Sequence, residues 1–231
     1  MTTKLISILA LTISISYGFT CGKHSNLPLL SNTALITSDS VVCYPLHYVS
    51  LNHITKETNY TVQYTTFEES RENLERNDNF QVDINLREYQ FSDGCYYKSD
   101  FDKGHLTPYR LSDWSTEASD NSFLMTNIVP MYPYFNRYMW IYVENYIYKL
   151  LDIYNEGYIV TGQILSYKKV SNCDIPLASH FYKAFYDKNF KYIFGVVVPH
   201  HIDKNFKYEP LSKYELNEVQ FRNITGLYIS N

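Results

Sequence analysis

From Leu46 to Thr66 apolar and polar positions alternate in short bursts, as in Tyr60-Thr-Val-Gln-Tyr-Thr-Thr, and this period of two predicts strands. The charged stretch from Glu68 to Asp78 reads as a helix or a solvated loop. Phe123-Leu-Met125 reads as a short buried strand that delivers Asn127 to its end. Between Arg137 and Leu151 the pattern changes: Met139, Trp140, Val143, Ile147, Leu150 and Leu151 recur at steps of three and four, which makes this the clearest helix in the chain. Tyr158-Ile-Val-Thr-Gly162 and Tyr192-Ile-Phe-Gly-Val-Val-Val198 then read as core strands, the first ending at Gly162. Strands and helices mix without a regular strand-helix-strand alternation, so the expected class is α+β.

A chain of 231 residues with 45% hydrophobic positions can bury a real core, and its size suits one domain. The 24 tyrosines and a 17% aromatic fraction exclude a disordered chain. With 8 glycines and 8 prolines, and no stretch rich in either, there is no linker to divide it, and no internal repeat is visible.

The first residues change the expected compartment. Lys4 precedes the apolar run Leu5 to Ile15 and the small residues Ser16 and Gly18, the grammar of a signal peptide over residues 1–20. A membrane anchor is the alternative, but the apolar run is about half of the ~20 residues a spanning helix needs. The expectation is a secreted or periplasmic protein, residues 21–231, with no membrane attachment once the leader is cleaved. Cys21, Cys43, Cys95 and Cys173 contain no C-x-x-C pair; in an exported chain they predict two disulfides, with three connectivities open. Asn59-Tyr-Thr and Asn223-Ile-Thr are N-glycosylation sequons.

The net charge of −4 argues against a protein that coats nucleic acid by bulk electrostatics. An enzyme is compatible with it, because a local cluster of Lys and Arg can hold one phosphate while the remaining surface is acidic. Phosphodiester hydrolysis needs a base for water, a cation at the phosphate and positive side chains for the transition state. His105, in Asp102-Lys-Gly-His105, can be the base. Asn136, Trp140 and Glu144 are four residues apart, so an amide oxygen and a carboxylate project from one side of the helix. Oxygen donors of this kind suit Mg²⁺, which keeps most of its waters. Taken singly, Asn136 could be a helix N-cap and Glu144 a surface ion-pair partner.

Together these residues resemble the DNA/RNA non-specific endonuclease family, the ββα-metal nucleases. Asp102-Lys103-Gly104-His105 with Pro108, Asn127-Ile-Val-Pro130, Asn136 nine residues after Asn127, and Glu144 eight residues after that reproduce its signature spacing. Val160-Thr-Gly162, Ile175-Pro176 with His180-Phe-Tyr-Lys183, and Thr225-Gly-Leu227 are similar to the family too, so the resemblance runs from about Tyr44 to the end. It implies a ββα-metal nuclease fold, with a central antiparallel sheet flanked by helices, His105 on a strand-loop element and Asn136 on the helix beside it. It further implies that His105 is the general base and Asn136 the direct protein ligand of a hydrated Mg²⁺, or of Mn²⁺ in its place. Glu144 would hold the ion's waters, Asn127 would orient residues around the base, and Asp102 would support the geometry.

Two positions depart from the family pattern. Lys103 stands where the family has Arg, keeping the charge but losing the bidentate fork. Met131 stands where many relatives have Gln. A second family arginine corresponds to Arg76 or Arg71, with Arg76 favoured.

The implied activity is a secreted, metal-dependent endonuclease that cuts DNA and RNA with little sequence specificity and leaves 5′-phosphates. The alternatives are a catalytically weak or inactive nucleic-acid-binding module on the same fold, and a phosphodiesterase for small substrates. Oligomeric state stays open, a homodimer included.

Overall fold

The computed structural model describes residues 30–32, 40–170, 172–201, 203 and 209–229. The expected leader over residues 1–20, and Cys21, lie outside them.

Among the described residues, ten strands and three α-helices follow one another: β1 (Leu30–Asn32), β2 (Ser40–Cys43), β3 (His47–Asn52), β4 (Glu57–Thr66), β5 (Asp102–His105), α1 (Thr116–Ser122), β6 (Ile128–Met131), α2 (Ile141–Tyr154), β7 (Glu156–Val170), β8 (Ile175–Asp187), β9 (Tyr192–Pro199), α3 (Glu218–Thr225) and β10 (Leu227–Ile229). Six of them form one sheet in the order β2-β3-β4-β7-β8-β9, antiparallel at every pairing. The alternation from Leu46 to Thr66 is the hairpin β3–β4 of that sheet.

Because side chains alternate across a strand, the central strands supply two different cores. Ile159, Phe181, Phe185, Phe194, Val196 and Val198 face α2 and the β5–β6 pair, packing with Met139, Trp140, Val143 and Leu151. Tyr48, Tyr60, Val62, Tyr158, Val160, Tyr182 and Tyr186 face the other way, against Phe221 of α3 and Leu227 of β10. The molecule is thus a central antiparallel sheet with helices on its faces, as expected.

Two readings need correction. Phe123-Leu-Met125 is not a strand: Ser115 caps α1 through the Ala118 amide, the Phe123 amide closes onto the Asp120 carbonyl, and Met125–Asn127 makes a 3-10 turn before β6 begins. Three apolar residues are too few to carry a period, and the cap decides the local structure. Gly162 does not end its strand, since β7 runs on to Val170; a Cβ there would lie 2.3 Å from the Tyr182 hydroxyl and 2.5 Å from the Asn59 carbonyl, so it marks a close approach within the sheet. The charged stretch takes the solvated-loop alternative, one 3-10 turn at Glu69–Arg71 followed by exposed irregular chain.

Cys95 and Cys173 are joined in a disulfide that ties the approach to β5 to the β7–β8 turn, and Cys43 is disulfide-bonded as well.

Candidate active site

The site is built on β5, β6 and the helix that follows. β5 pairs antiparallel with β6 in the register Gly104↔Val129 and His105↔Ile128, which puts the base candidate at the last paired position of its strand. A Cβ on Gly104 would lie 2.3 Å from Met131 Sδ and 2.4 Å from Met131 Cγ, so the fully buried Met131 occupies the space that glycine leaves. Four residues after Met131 the chain winds into a π-helical turn, Phe135–Trp140, continuous with α2. That wide turn carries Asn136.

His105, Asn136 and Glu144 all line one open cavity of about 320 Å³. His105 lies edge-on to Phe123 at 5.2 Å between centroids and 5.8 Å from Phe80. Its Nε2 is buried with no hydrogen-bond partner among the described residues, so Nδ1 is the nitrogen available to a water in the cavity. Burial, reinforced by the cations of Arg76 and Lys103 and opposed by Asp78, pulls its pKa down to about 3, which keeps the ring neutral.

Asn127, fully buried, accepts from the Thr107 amide at 2.8 Å and donates to the Thr107 carbonyl at 2.8 Å and the Ser122 carbonyl at 2.9 Å. Its amide is spent on the backbone just beyond His105.

Asp102 accepts from Arg137 Nε at 2.9 Å and Nη2 at 2.7 Å, and from Asn136 Nδ2 at 3.0 Å. Asn136 is therefore no N-cap; its amide nitrogen is held by a carboxylate that only accepts. Glu144 reaches the same cavity from the first turns of α2, its pKa raised by burial and lowered again by Lys183 and Arg76. The donors are oxygens, Asn136 Oδ1 and the Glu144 carboxylate, and among the described residues no group of three or more His, Cys, Asp or Glu side chains is gathered as a metal cage. One amide and one carboxylate fit a hydrated Mg²⁺ and do not fit a soft metal.

The rim is basic. Arg76, Lys103, Arg110 and Arg137 all line the cavity. Arg76 pairs with Asp78 at 2.6 Å and lies over Tyr109 and Phe123. Arg71 lines a separate depression with Glu72 and Asp113, so Arg76 is the arginine that the fold brings to His105. Lys103 is engaged on two sides, by Asp93 at 2.5 Å and by the Phe80 ring at 3.6 Å. Arg110 and Arg137 escaped the sequence reading, although one lies two residues after Pro108 and the other follows Asn136 directly.

The family profile described as DNA/RNA non-specific endonuclease matches residues 26–231. Mitochondrial endonuclease G of Homo sapiens is 26% identical over 117 residues, which are 45% of this chain and 39% of that protein. A nuclease of Nostoc sp. is 37% identical over 92 residues, 39% of this chain and 34% of its own. The matched segments thus span between a third and two-fifths of these relatives' length. The crystal structure of an EndoG/EndoGI complex, described as showing the mechanism of EndoG inhibition, superposes with a TM-score of 0.73 at 18% identity, covering 83% of this chain and 85% of that one. At that identity the likeness bears on the fold, which is the ββα-metal nuclease fold.

Proposed function

This chain belongs to the DNA/RNA non-specific endonuclease family, and on that premise we propose that it is an exported, Mg²⁺-dependent endonuclease that hydrolyses DNA and RNA phosphodiesters and leaves 5′-phosphates. The observation that carries the reading is the convergence of His105, Asn136 and Glu144 on one cavity rimmed by four cations in a chain of net charge −4.

Neutral His105 takes a proton from a water through Nδ1, the water oxygen adds to phosphorus, and the bond from phosphorus to the 3′-oxygen breaks. Arg76, Arg110 and Arg137 hold the phosphate oxygens and stabilise the charge that gathers in the transition state. Asn136 Oδ1 would be the direct protein ligand of the Mg²⁺, and the Glu144 carboxylate would hold its waters. The ion, when bound, supplies the positive charge that stabilises the departing oxyanion. Contacts confined to phosphates near the scissile bond explain little sequence preference. The disulfide joining Cys95 to Cys173 supports export, because such bonds persist in oxidising compartments.

The purified protein should degrade supercoiled plasmid and RNA with Mg²⁺ and not with chelator, and His105→Ala should lower the rate roughly 10²- to 10⁴-fold. Intact substrates across Mg²⁺ and Mn²⁺ would reject the reading. A binding module is the second reading, favoured by the engagement of Lys103 with Asp93 and Phe80; it requires nucleic-acid binding that persists in chelator without cleavage in metal.

A further inference from the structure

Of the described Lys, Arg, Asp and Glu side chains, Lys183 is the least exposed, at 1%. It sits in the middle of β8, on the same face as Phe181 and Phe185 and therefore toward the catalytic unit, at a position where the pattern calls for an apolar residue. Taking an ammonium out of water is costly, and nothing in the sheet's own hydrogen bonding requires a charge there. A cation retained against a local rule of this kind points to work done at a site.

Its contacts show what it holds. Nζ donates to the Leu106 carbonyl at 3.1 Å and to Thr161 Oγ1 at 2.8 Å. Leu106 is the residue after His105, where the chain leaves the β5–β6 ladder. Thr61, Thr161 and Lys183 are register partners across β4, β7 and β8, forming a polar row over three central strands. Thr107 Oγ1 donates to Thr61 Oγ1 at 2.9 Å, so the row meets two successive residues of the segment. The three successive carbonyls from His105, the last residue of β5, to Thr107 each have a side-chain donor from a different element: Trp140 Nε1 to His105 at 3.4 Å, Lys183 to Leu106, and Asn127 to Thr107. The Lys183 ammonium also lies 5.0 Å from the centre of the Trp140 ring.

We propose that Lys183 is a positioning residue: anchored on Thr161, its ammonium holds the Leu106 carbonyl and so fixes where His105 stands in the cavity. The proposal rests on the reading of His105 as the base. Lys183→Met keeps the stem and removes the ammonium. Amide exchange at Leu106 and Thr107, whose N–H groups bond Asn127, should then rise at least about tenfold while Val160 and Ala184 in the central strands stay within about threefold. For plasmid cleavage kcat should fall about 10- to 100-fold with KM within about twofold, because misplacing a base costs the chemical step and not binding. Added to His105→Ala, Lys183→Met should cost no more than about twofold further. Unchanged exchange at Leu106 and Thr107, uniform loss of protection, or losses that multiply in the double variant would overturn the proposal. A wild-type protein that cuts nothing would instead reject the hydrolytic reading, and the exchange result still decides whether Lys183 holds the segment. Thr161→Val, which leaves the lysine and removes its anchor, should shift the same amides about 3- to 10-fold and serves if Lys183→Met does not fold.

Discussion

A carboxamide can turn either its oxygen or its nitrogen toward a cation, and at Asn136 the choice is made by Asp102. Because a carboxylate only accepts, its bond to Nδ2 turns Oδ1 away from itself, while Arg137 holds the same carboxylate in a fork. Asp102→Ala should therefore weaken Mg²⁺ binding about 10- to 100-fold, the usual cost of losing a ligand's support, as read by calorimetry on the purified protein. His105 carries a second expectation at this scale. With its pKa pulled to about 3 the ring is neutral throughout the neutral range, so the acid limb of kcat/KM should lie below the ordinary histidine value of 6.5; a limb at or above 6.5 would mean that the base is solvated. Both residues were legible in the sequence because each sits in a short local motif. Lys183 sits in such a stretch as well, His180-Phe-Tyr-Lys183, but its role was not legible, since its partners Leu106 and Thr161 lie 77 and 22 positions away and meet it only in the folded sheet.

At the scale of elements the helix was easy to read and its first turn was not. Apolar steps of three and four predicted Arg137 to Leu151; the structure extends this with the wide turn Phe135–Trp140, in which Asn136 bonds Asp102 of β5 instead of capping. Periodicity specifies a buried face, and a π-helical turn is set by tertiary contacts that no window of sequence contains. The Met131 departure has its account here: the side chain fills the notch over Gly104 and seals β5 against β6. Gly104→Ala should cost about 1–3 kcal/mol by overpacking, and Met131→Ala should recover part of it in the double variant, both measured by urea denaturation. Additive losses would show that the two residues do not share the space.

For the whole molecule, pH sets buried histidines against buried carboxyls. His47 and His105 are held near 3 and His200 near 4, chiefly by burial, whereas in an unfolded chain each would protonate near 6.5. As pH falls below 6.5 the unfolded state gains protons that these rings refuse, which destabilises the fold. Glu57, pushed to about 8, Asp113, pushed to about 6, and Glu144, also raised by burial, act oppositely, since the native state keeps protons that the unfolded chain gives up above its ordinary carboxyl range. The two sets offset one another from 6.5 down to about 4.5. Below that the three histidines are no longer opposed, and they alone should lower stability by up to about 4 kcal/mol per pH unit. A urea midpoint flat between pH 6.5 and 5 and dropping steeply below 4.5 is the expected curve; a steady decline from 6.5 would show that these carboxyls are ionised in the native state. One covalent feature sets a further condition on the whole chain. The bond from Cys95 to Cys173 closes a separation of 78 residues, a constraint of about 4 kcal/mol in the loop-entropy account, and it grips the segment whose Asp93 pairs with Lys103. In reducing surroundings that grip is missing, and the rim that carries Lys103 is slack until the bond closes.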